Sequence, residues 1–242
     1  MKIHGLQKTT LLDYPGHVAA TVFTGGCNFR CPFCQNGSLV LAPESQPLIP
    51  VEEVLAHLRK RRGILEGVCI TGGEPTLEGD LREFILQCRE LGYLVKLDTN
   101  GYRPEVLGQL LQEGILDYVA MDIKASPENY GRAADCPNCD VERIGESIRL
   151  LRAGGIPYEL RTTVVKGIHT VEEFEEIGRW LAGSPAYYLQ AYRDGGDILG
   201  AEHQAQGTAI SGRMEAFTKQ EMEEMAALAR KYMDKVALRG VE

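Results

Sequence analysis

Six short runs of apolar and β-branched residues alternate along the chain with longer amphipathic stretches, and this rhythm limits the fold more than any other feature. Strands are expected near 18–24 (the run HVAATVFT begins one residue earlier), 67–71, 93–98, 117–122, 157–164 and 187–191. Helical patterns lie between them near 51–62, 79–91, 104–113, 140–153 and 170–182, with a last helix over about 214–234. Alternation with connections of this length implies parallel strands joined by right-handed crossovers. Six units are fewer than the eight of a closed barrel, which typically takes about 250 residues. The expectation is therefore an α/β fold, an open, partial (β/α)6 barrel, although periodicity alone does not separate it from a doubly wound sheet.

Local signals agree with this reading. Asp80, with Glu83 three residues on, reads as a helix start, and Gly92 is placed to end that helix. Leu81, Phe84, Ile85 and Cys88 fall on one of its faces, as Val51, Val54, Leu55 and Leu58 do on the preceding helix. No repeat, low-complexity tract or linker interrupts the pattern. One domain over 1–242 is expected, with its core at about 17–192 and a C-terminal helical extension. At 242 residues such a core needs no disulfide framework.

Composition removes several classes of function. The formal charge of −8 argues against nonspecific nucleic-acid binding, which needs a basic surface. No apolar run approaches the ~20 residues that span a bilayer, and the first residues lack the apolar stretch of a signal peptide. A cytoplasmic protein with no membrane partner is expected.

In either parallel architecture, ligands collect at the C-terminal ends of the strands. The unusual residues fall there: Cys27 after the first strand, Gly72-Gly73-Glu74 after the second, Asp98-Thr99-Asn100-Gly101 after the third and Asp122-Ile123-Lys124 after the fourth. Cys27, Cys31 and Cys34 put three thiols within eight residues on one loop. A structural zinc site wants four closed ligands, and any fourth here (His17, Cys69, Cys136 or Cys139) is distant in sequence. A four-iron cluster held by three cysteines keeps one iron open for an exogenous ligand, whereas an electron carrier normally uses four. Iron–sulfur is the favoured reading from the residues alone; zinc and unrelated thiols stay open.

Cys27-x3-Cys31-x2-Cys34, with Phe33 before the last cysteine, and Thr71-Gly72-Gly73-Glu74-Pro75 resemble the cysteine and GGE motifs of radical S-adenosylmethionine (SAM) enzymes. Leu12-Asp13-Tyr14-Pro15-Gly16, the Asp98 to Gly101 segment and Met121-Asp122-Ile123-Lys124 narrow the resemblance to the activating enzymes of glycyl-radical proteins. It covers residues 5–192 and is nearest to the longer form of anaerobic ribonucleoside-triphosphate reductase activating protein. Two departures go with it. Pyruvate formate-lyase activators carry a tyrosine and then a histidine at the sixth strand end, where this chain has Tyr192-Arg193, and short-type reductase activators are much smaller.

The resemblance implies the open barrel of that superfamily and a [4Fe-4S] cluster on Cys27, Cys31 and Cys34. SAM would bind the open iron; its one-electron cleavage would give methionine and a 5′-deoxyadenosyl radical that takes hydrogen from a glycine of a partner glycyl-radical enzyme. A low-potential donor such as flavodoxin or ferredoxin would supply the electron. Gly72 and Gly73 would let the backbone approach the methionine moiety, and Glu74 would accept from its ammonium. Lys124 would meet the carboxylate, while Asp122 and Asp98 would hold a cation or order the ribose side; Arg161 has an analogous role. An ion-pair network closing the barrel mouth is the plain alternative for these charged residues. Two other functions compete with the activase: a radical SAM enzyme acting on a small molecule, such as one related to deazaguanine biosynthesis, and a non-enzymatic zinc-binding interaction domain.

Other residues read as structural. Cys69 and Cys88 are expected to be buried small hydrophobes. His57, His169 and His203 are expected to be solvated or structural, and Phe217, Met225, Leu228 and Tyr232 to pack into the core. Glu172, Glu173, Glu175 and Glu176 read as a solvated helix face. Cys136-Pro137-Asn138-Cys139 has redox-motif spacing; an incidental surface loop is the expected reading, with a reversible disulfide or a second metal site as the alternative.

Overall fold

The computed structural model describes residues 1–193, 195, 197–200 and 214–241; His203 lies outside them. Each of the six expected strands forms: β2 (Ala19–Thr24), β3 (Gly67–Gly72), β4 (Leu94–Thr99), β5 (Tyr118–Asp122), β6 (Tyr158–Val164) and β7 (Tyr187–Ala191). They run parallel and pair in sequence order. Two strands that the pattern did not announce complete an eight-stranded sheet. β1 (Ile3–Thr10) pairs antiparallel with β2, and β8 (Val236–Arg239) pairs parallel with β7. β1 and β8 are the sheet's two ends and do not pair with each other, so the barrel is open.

Helices follow the strands: α1 (Gly37–Leu41), α2 (Val51–Arg61), α3 (Leu81–Glu90), α4 (Pro104–Gln112), α5 (Tyr130–Ala133), α6 (Val141–Ala153), α7 (Glu173–Trp180) and α8 (Lys219–Ala229). α4 packs beside α6, and α7 beside α8. Val54, Leu55 and Leu58 of α2 and Leu81, Phe84, Ile85 and Cys88 of α3 are buried, as the 3.6-residue period requires. Gly92 ends α3 with φ +90°, a conformation that costs glycine least. Asp80 does not cap α3 with its side chain; its carboxylate pairs with the Met1 amine instead. α8 starts with a full capping box between Thr218 and Glu221. It is shorter than the helix expected over about 214–234, and the C-terminal extension, expected to be helical, goes on to lay β8 on the sheet. Arg239 of β8 secures that strand with two bonds to Glu159 of β6, at 2.7 and 2.8 Å. Met225 is buried, and Phe217, Leu228 and Tyr232 rest against the core as expected.

Candidate active site

One cavity of about 270 Å³ opens at the C-terminal ends of the strands, and all ten residues singled out from the sequence as site candidates line it. Its first wall is the loop after β2. Gly26 N donates to Leu39 O and Cys34 N to Cys31 O, which folds the three cysteines back over the strand end. Cys31 is buried and Cys27 and Cys34 are half-buried. The chain after β7 returns to brace this loop. Leu199 N donates to Cys34 O at 3.0 Å and Gly200 N to Pro32 O at 2.7 Å, while Gly37 N and Ser38 N donate to the Asp197 carbonyl and carboxylate.

The end of β3 is stitched to the same loop. Gly73 N donates to Thr24 O and Glu74 N to Gly26 O, and Asn36 Nδ2 donates to Gly72 O at 2.8 Å. Here the reason for the glycines differs from the expectation. Gly72 has φ +114°, and a Cβ on it would lie 2.4 Å from the Thr24 backbone; one on Gly73 would lie 1.9 Å from Gly26 O. The absent Cβ atoms make room for the cysteine loop's own backbone. Glu74 is buried, and its Oε1 accepts from Thr76 N, Thr76 Oγ1 and Thr99 Oγ1 while Oε2 accepts from Asn100 N. Burial raises its affinity for a proton despite these donors. Oε2, with a single partner, keeps capacity for a further donor from the cavity.

Charges alternate across the opposite wall. Lys96 pairs with Asp98 Oδ1; Arg161 bridges Asp98 Oδ2 at 3.0 Å and Asp122 Oδ1 at 2.5 Å; Lys124 pairs with Asp122 Oδ2 at 3.0 Å. Burial alone would raise the Asp122 carboxyl, but Arg161 and Lys124 outweigh it and hold it well below the usual carboxylate range. Asp98 is lowered likewise, by Arg161 and Lys96. Burial disfavours the Lys124 ammonium, yet Asp122 and the Cys31 side push its affinity for the proton up. All four oxygens of Asp98 and Asp122 are thus engaged, and a cation expected between them would have to displace an ammonium or guanidinium. Lys96 and Lys124 end the row with one carboxylate each, and of the two Lys124 lines the cavity.

Further residues complete the cavity. Thr163, two positions after Arg161 on β6, and Gln190 on β7 reach the lining; the period-two rule places Thr163 beside Arg161, but neither stands in a motif. Asn100 Nδ2 lies 3.7 Å from Cys27 Sγ. Cys69 is buried as expected, with its sulfur 3.7 Å from both Asp98 Oδ1 and Lys96 Nζ. His169 is buried and structural. Its Nδ1 accepts from Val165 N, so Nε2 carries the hydrogen and donates to Lys124 O at 2.7 Å. Burial keeps that imidazole neutral.

The thiols fit an iron–sulfur cluster better than a single ion. Among the described residues no three His, Cys, Asp or Glu side chains gather round one point. The three cysteines all line one cavity, where a polynuclear cluster would take each thiolate at a separate iron. Burial, with Glu74 nearby, pushes the Cys27 thiol up to about 11 and raises Cys31 and Cys34 as well. Iron offsets such a penalty by binding the thiolate directly. Asn28 Nδ2, one residue after Cys27, is buried without an acceptor among the described residues, and an anionic cluster supplies acceptors.

The family model of the radical SAM superfamily matches residues 21–181. The chain belongs to the radical SAM superfamily. Members use a [4Fe-4S] cluster and SAM, and the chain is an α/β radical SAM enzyme whose mostly parallel sheet is not closed. A non-enzymatic zinc domain is thereby set aside. Over 99% of its length the chain is 29% identical to a protein of Methanocaldococcus jannaschii named as a candidate glycyl-radical enzyme activating enzyme, of which it covers 96%. It is 30% identical to a GTP 3′,8-cyclase of Helicobacter pylori, over 63% of this chain and 48% of that protein. The crystal structure of Streptococcus suis SuiB bound to SAM superposes with a TM-score of 0.66 at 14% identity. That likeness covers 90% of this chain, which spans about half (49%) of SuiB. No helix among the described residues is long and apolar enough to cross a membrane.

Proposed function

We propose that the protein is an activating enzyme that takes a hydrogen atom from a glycine of a partner glycyl-radical enzyme, with an anaerobic ribonucleoside-triphosphate reductase as that partner. One observation carries the reading. The likeness to the activating-enzyme relative runs the full length of both proteins, whereas the cyclase match covers under half of the cyclase. The cyclase match leaves more than a third of this chain unmatched, whereas the match to the other relative leaves almost none.

Cys27, Cys31 and Cys34 would hold the cluster, and Glu74 and Lys124 face the cavity with the charges that suit an ammonium and a carboxylate of SAM. When bound, the reduced cluster supplies one electron that cleaves SAM and yields the radical that abstracts hydrogen. This chain's own part is placement. Asp98, Asp122 and Arg161 hold Lys124 at the mouth, the glycines of β3 seat the cysteine loop, and the strap over residues 197–200 covers its outer side. The reductant would be a low-potential protein such as flavodoxin or ferredoxin.

The test is to incubate cluster-loaded protein, SAM and a low-potential reductant anaerobically with candidate reductases and lyases, and to record electron paramagnetic resonance spectra. A glycyl-radical signal on a reductase, lost when its radical glycine is replaced by alanine, is the expected result. SAM consumption that needs GTP or another small molecule, with no radical on any protein, would assign the site to small-molecule chemistry instead.

A further inference from the structure

Cys136 and Cys139 take no part in the cavity. They lie on the loop from α5 to α6, where Asp135 has φ +46°, the left-handed conformation that a non-glycine residue adopts least readily. That reversal lets Cys136 N donate to Gly131 O at 2.8 Å, and Cys139 N then donates to Cys136 O at 2.9 Å. The second bond closes a four-residue turn that brings its first and last residues, Cys136 and Cys139, side by side over Gly131. Gly131 forms the floor of the turn, since a Cβ there would meet Cys136 O at 3.0 Å. Both cysteines are half-buried, resting on the core with one side open to solvent.

We propose that Cys136 and Cys139 form a second redox site, a dithiol that a small-molecule disulfide such as oxidised glutathione converts into an intrachain disulfide. In that exchange one cysteine thiolate attacks the small disulfide and releases one thiol, leaving a mixed disulfide. The second cysteine then displaces the other thiol. One S–S bond forms and one breaks, and two electrons and two protons leave the protein in the two thiols. The turn brings the cysteines together before reaction, which lowers the entropic cost of closing the ring. Burial, with Cys136 and Asp140 alongside, pushes the Cys139 thiol up to about 12. With so little Cys139 thiolate at neutral pH, the pair is a poor catalyst of exchange in other proteins.

The loop is bonded to the cysteine loop of the main cavity. Arg30 N, between Cys27 and Cys31, donates to Ala134 O at 2.9 Å. Asp140 N donates to the Tyr102 hydroxyl, and the Tyr102 ring packs edge-on against Phe29 at 5.2 Å. A change of redox state at the turn is thus one backbone bond away from the proposed cluster ligands.

To test the site, cluster-loaded protein is equilibrated anaerobically against mixtures of oxidised and reduced glutathione, quenched in acid, alkylated with N-ethylmaleimide and mapped by peptide mass. With a rising oxidised fraction, the tryptic peptide over 133–143 should lose two hydrogens and take up no maleimide. Cys136→Ser should abolish that species while leaving iron content unchanged. Two maleimide groups on the peptide at every ratio would overturn the proposal. So would glutathione adducts on both cysteines without a bond between them.

Discussion

The side-chain amide of Asn100 faces the sulfur of Cys27: Nδ2 lies 3.7 Å from Sγ and donates to Asn28 Oδ1 at 2.9 Å. Its orientation is fixed from the other end, because Oδ1 accepts from Tyr102 N at 3.0 Å. Phe29 N adds a second donor to the same sulfur at 3.4 Å. Donors to a ligand sulfur stabilise the more negative, reduced form of a cluster and raise its potential. Asn100→Ala is therefore predicted to bind a full cluster with a more negative midpoint potential, and Asn100→Asp to lower it further. A tenfold change in the reduction equilibrium is about 59 mV for one electron. Spectroelectrochemical titration measures it; equal potentials in all three proteins would contradict the assigned hydrogen bond.

Gly73→Ala should separate the fold from the cluster. Its new Cβ would overlap Gly26 O, so the cysteine loop must move while the strands have no reason to. Far-UV circular dichroism should be retained and iron incorporation should fall severalfold. Full iron loading would show that the loop tolerates the shift.

Glu74→Gln is predicted to weaken SAM binding with the cluster still in place. It removes the charge that an ammonium would meet, a loss of about 1.5–3 kcal/mol, or roughly ten- to a hundredfold in affinity. The amide also presents donors where Thr76, Thr99 and Asn100 already donate, so thermal stability should fall as well. Calorimetric titration of SAM reads the first effect, and an unchanged dissociation constant would remove Glu74 from the SAM site.

Asp122 predicts a pH dependence. Its folded carboxyl lies below the usual range, so the stability it contributes is fully present above the unfolded value of about 3.9 and is lost as pH falls toward the folded one. Asp122→Asn should be destabilised at pH 6, and its gap to the parent should begin to close only below about pH 4, being smaller at about pH 3. Breaking a fully buried pair typically costs about 3–5 kcal/mol. Asp122 keeps 29% of its side chain exposed, so a smaller loss is expected. Urea unfolding at the two pH values measures it, and a difference that does not depend on pH would contradict the ion-pair row.

The six parallel strands were legible in the sequence because each carries a short run of buried apolar residues that stands out against the amphipathic helices around it. β1 and β8 were not. An edge strand buries less, and Ile3–Thr10 mixes Lys8 and exposed polar residues into its pattern, while four-residue β8 is shorter than the window in which alternation can be read. The candidate site residues were legible because their chemistry is unusual at strand ends. Their bonding partners were not. Nothing local to Gly73 points to Gly26, nothing near Asp197 points to Ser38, and the contact of Asn100 with Cys27 joins residues 73 positions apart. Gly72 and Gly73 show the limit most plainly. Their positions were readable from the motif, but the neighbours that demand glycine lie at the end of β2 and in the loop after it.

The central claim is that Cys27, Cys31 and Cys34 build a cluster that cleaves SAM in this cavity. The direct measurement is to reconstitute the protein anaerobically with iron and sulfide, reduce it, add SAM and quantify 5′-deoxyadenosine and methionine by mass spectrometry. Stoichiometric or greater formation of both, absent from Cys31→Ala and retained in Cys136→Ser, is the predicted result. SAM left intact by a verified, reducible cluster, or cleavage undiminished in Cys31→Ala, would contradict it.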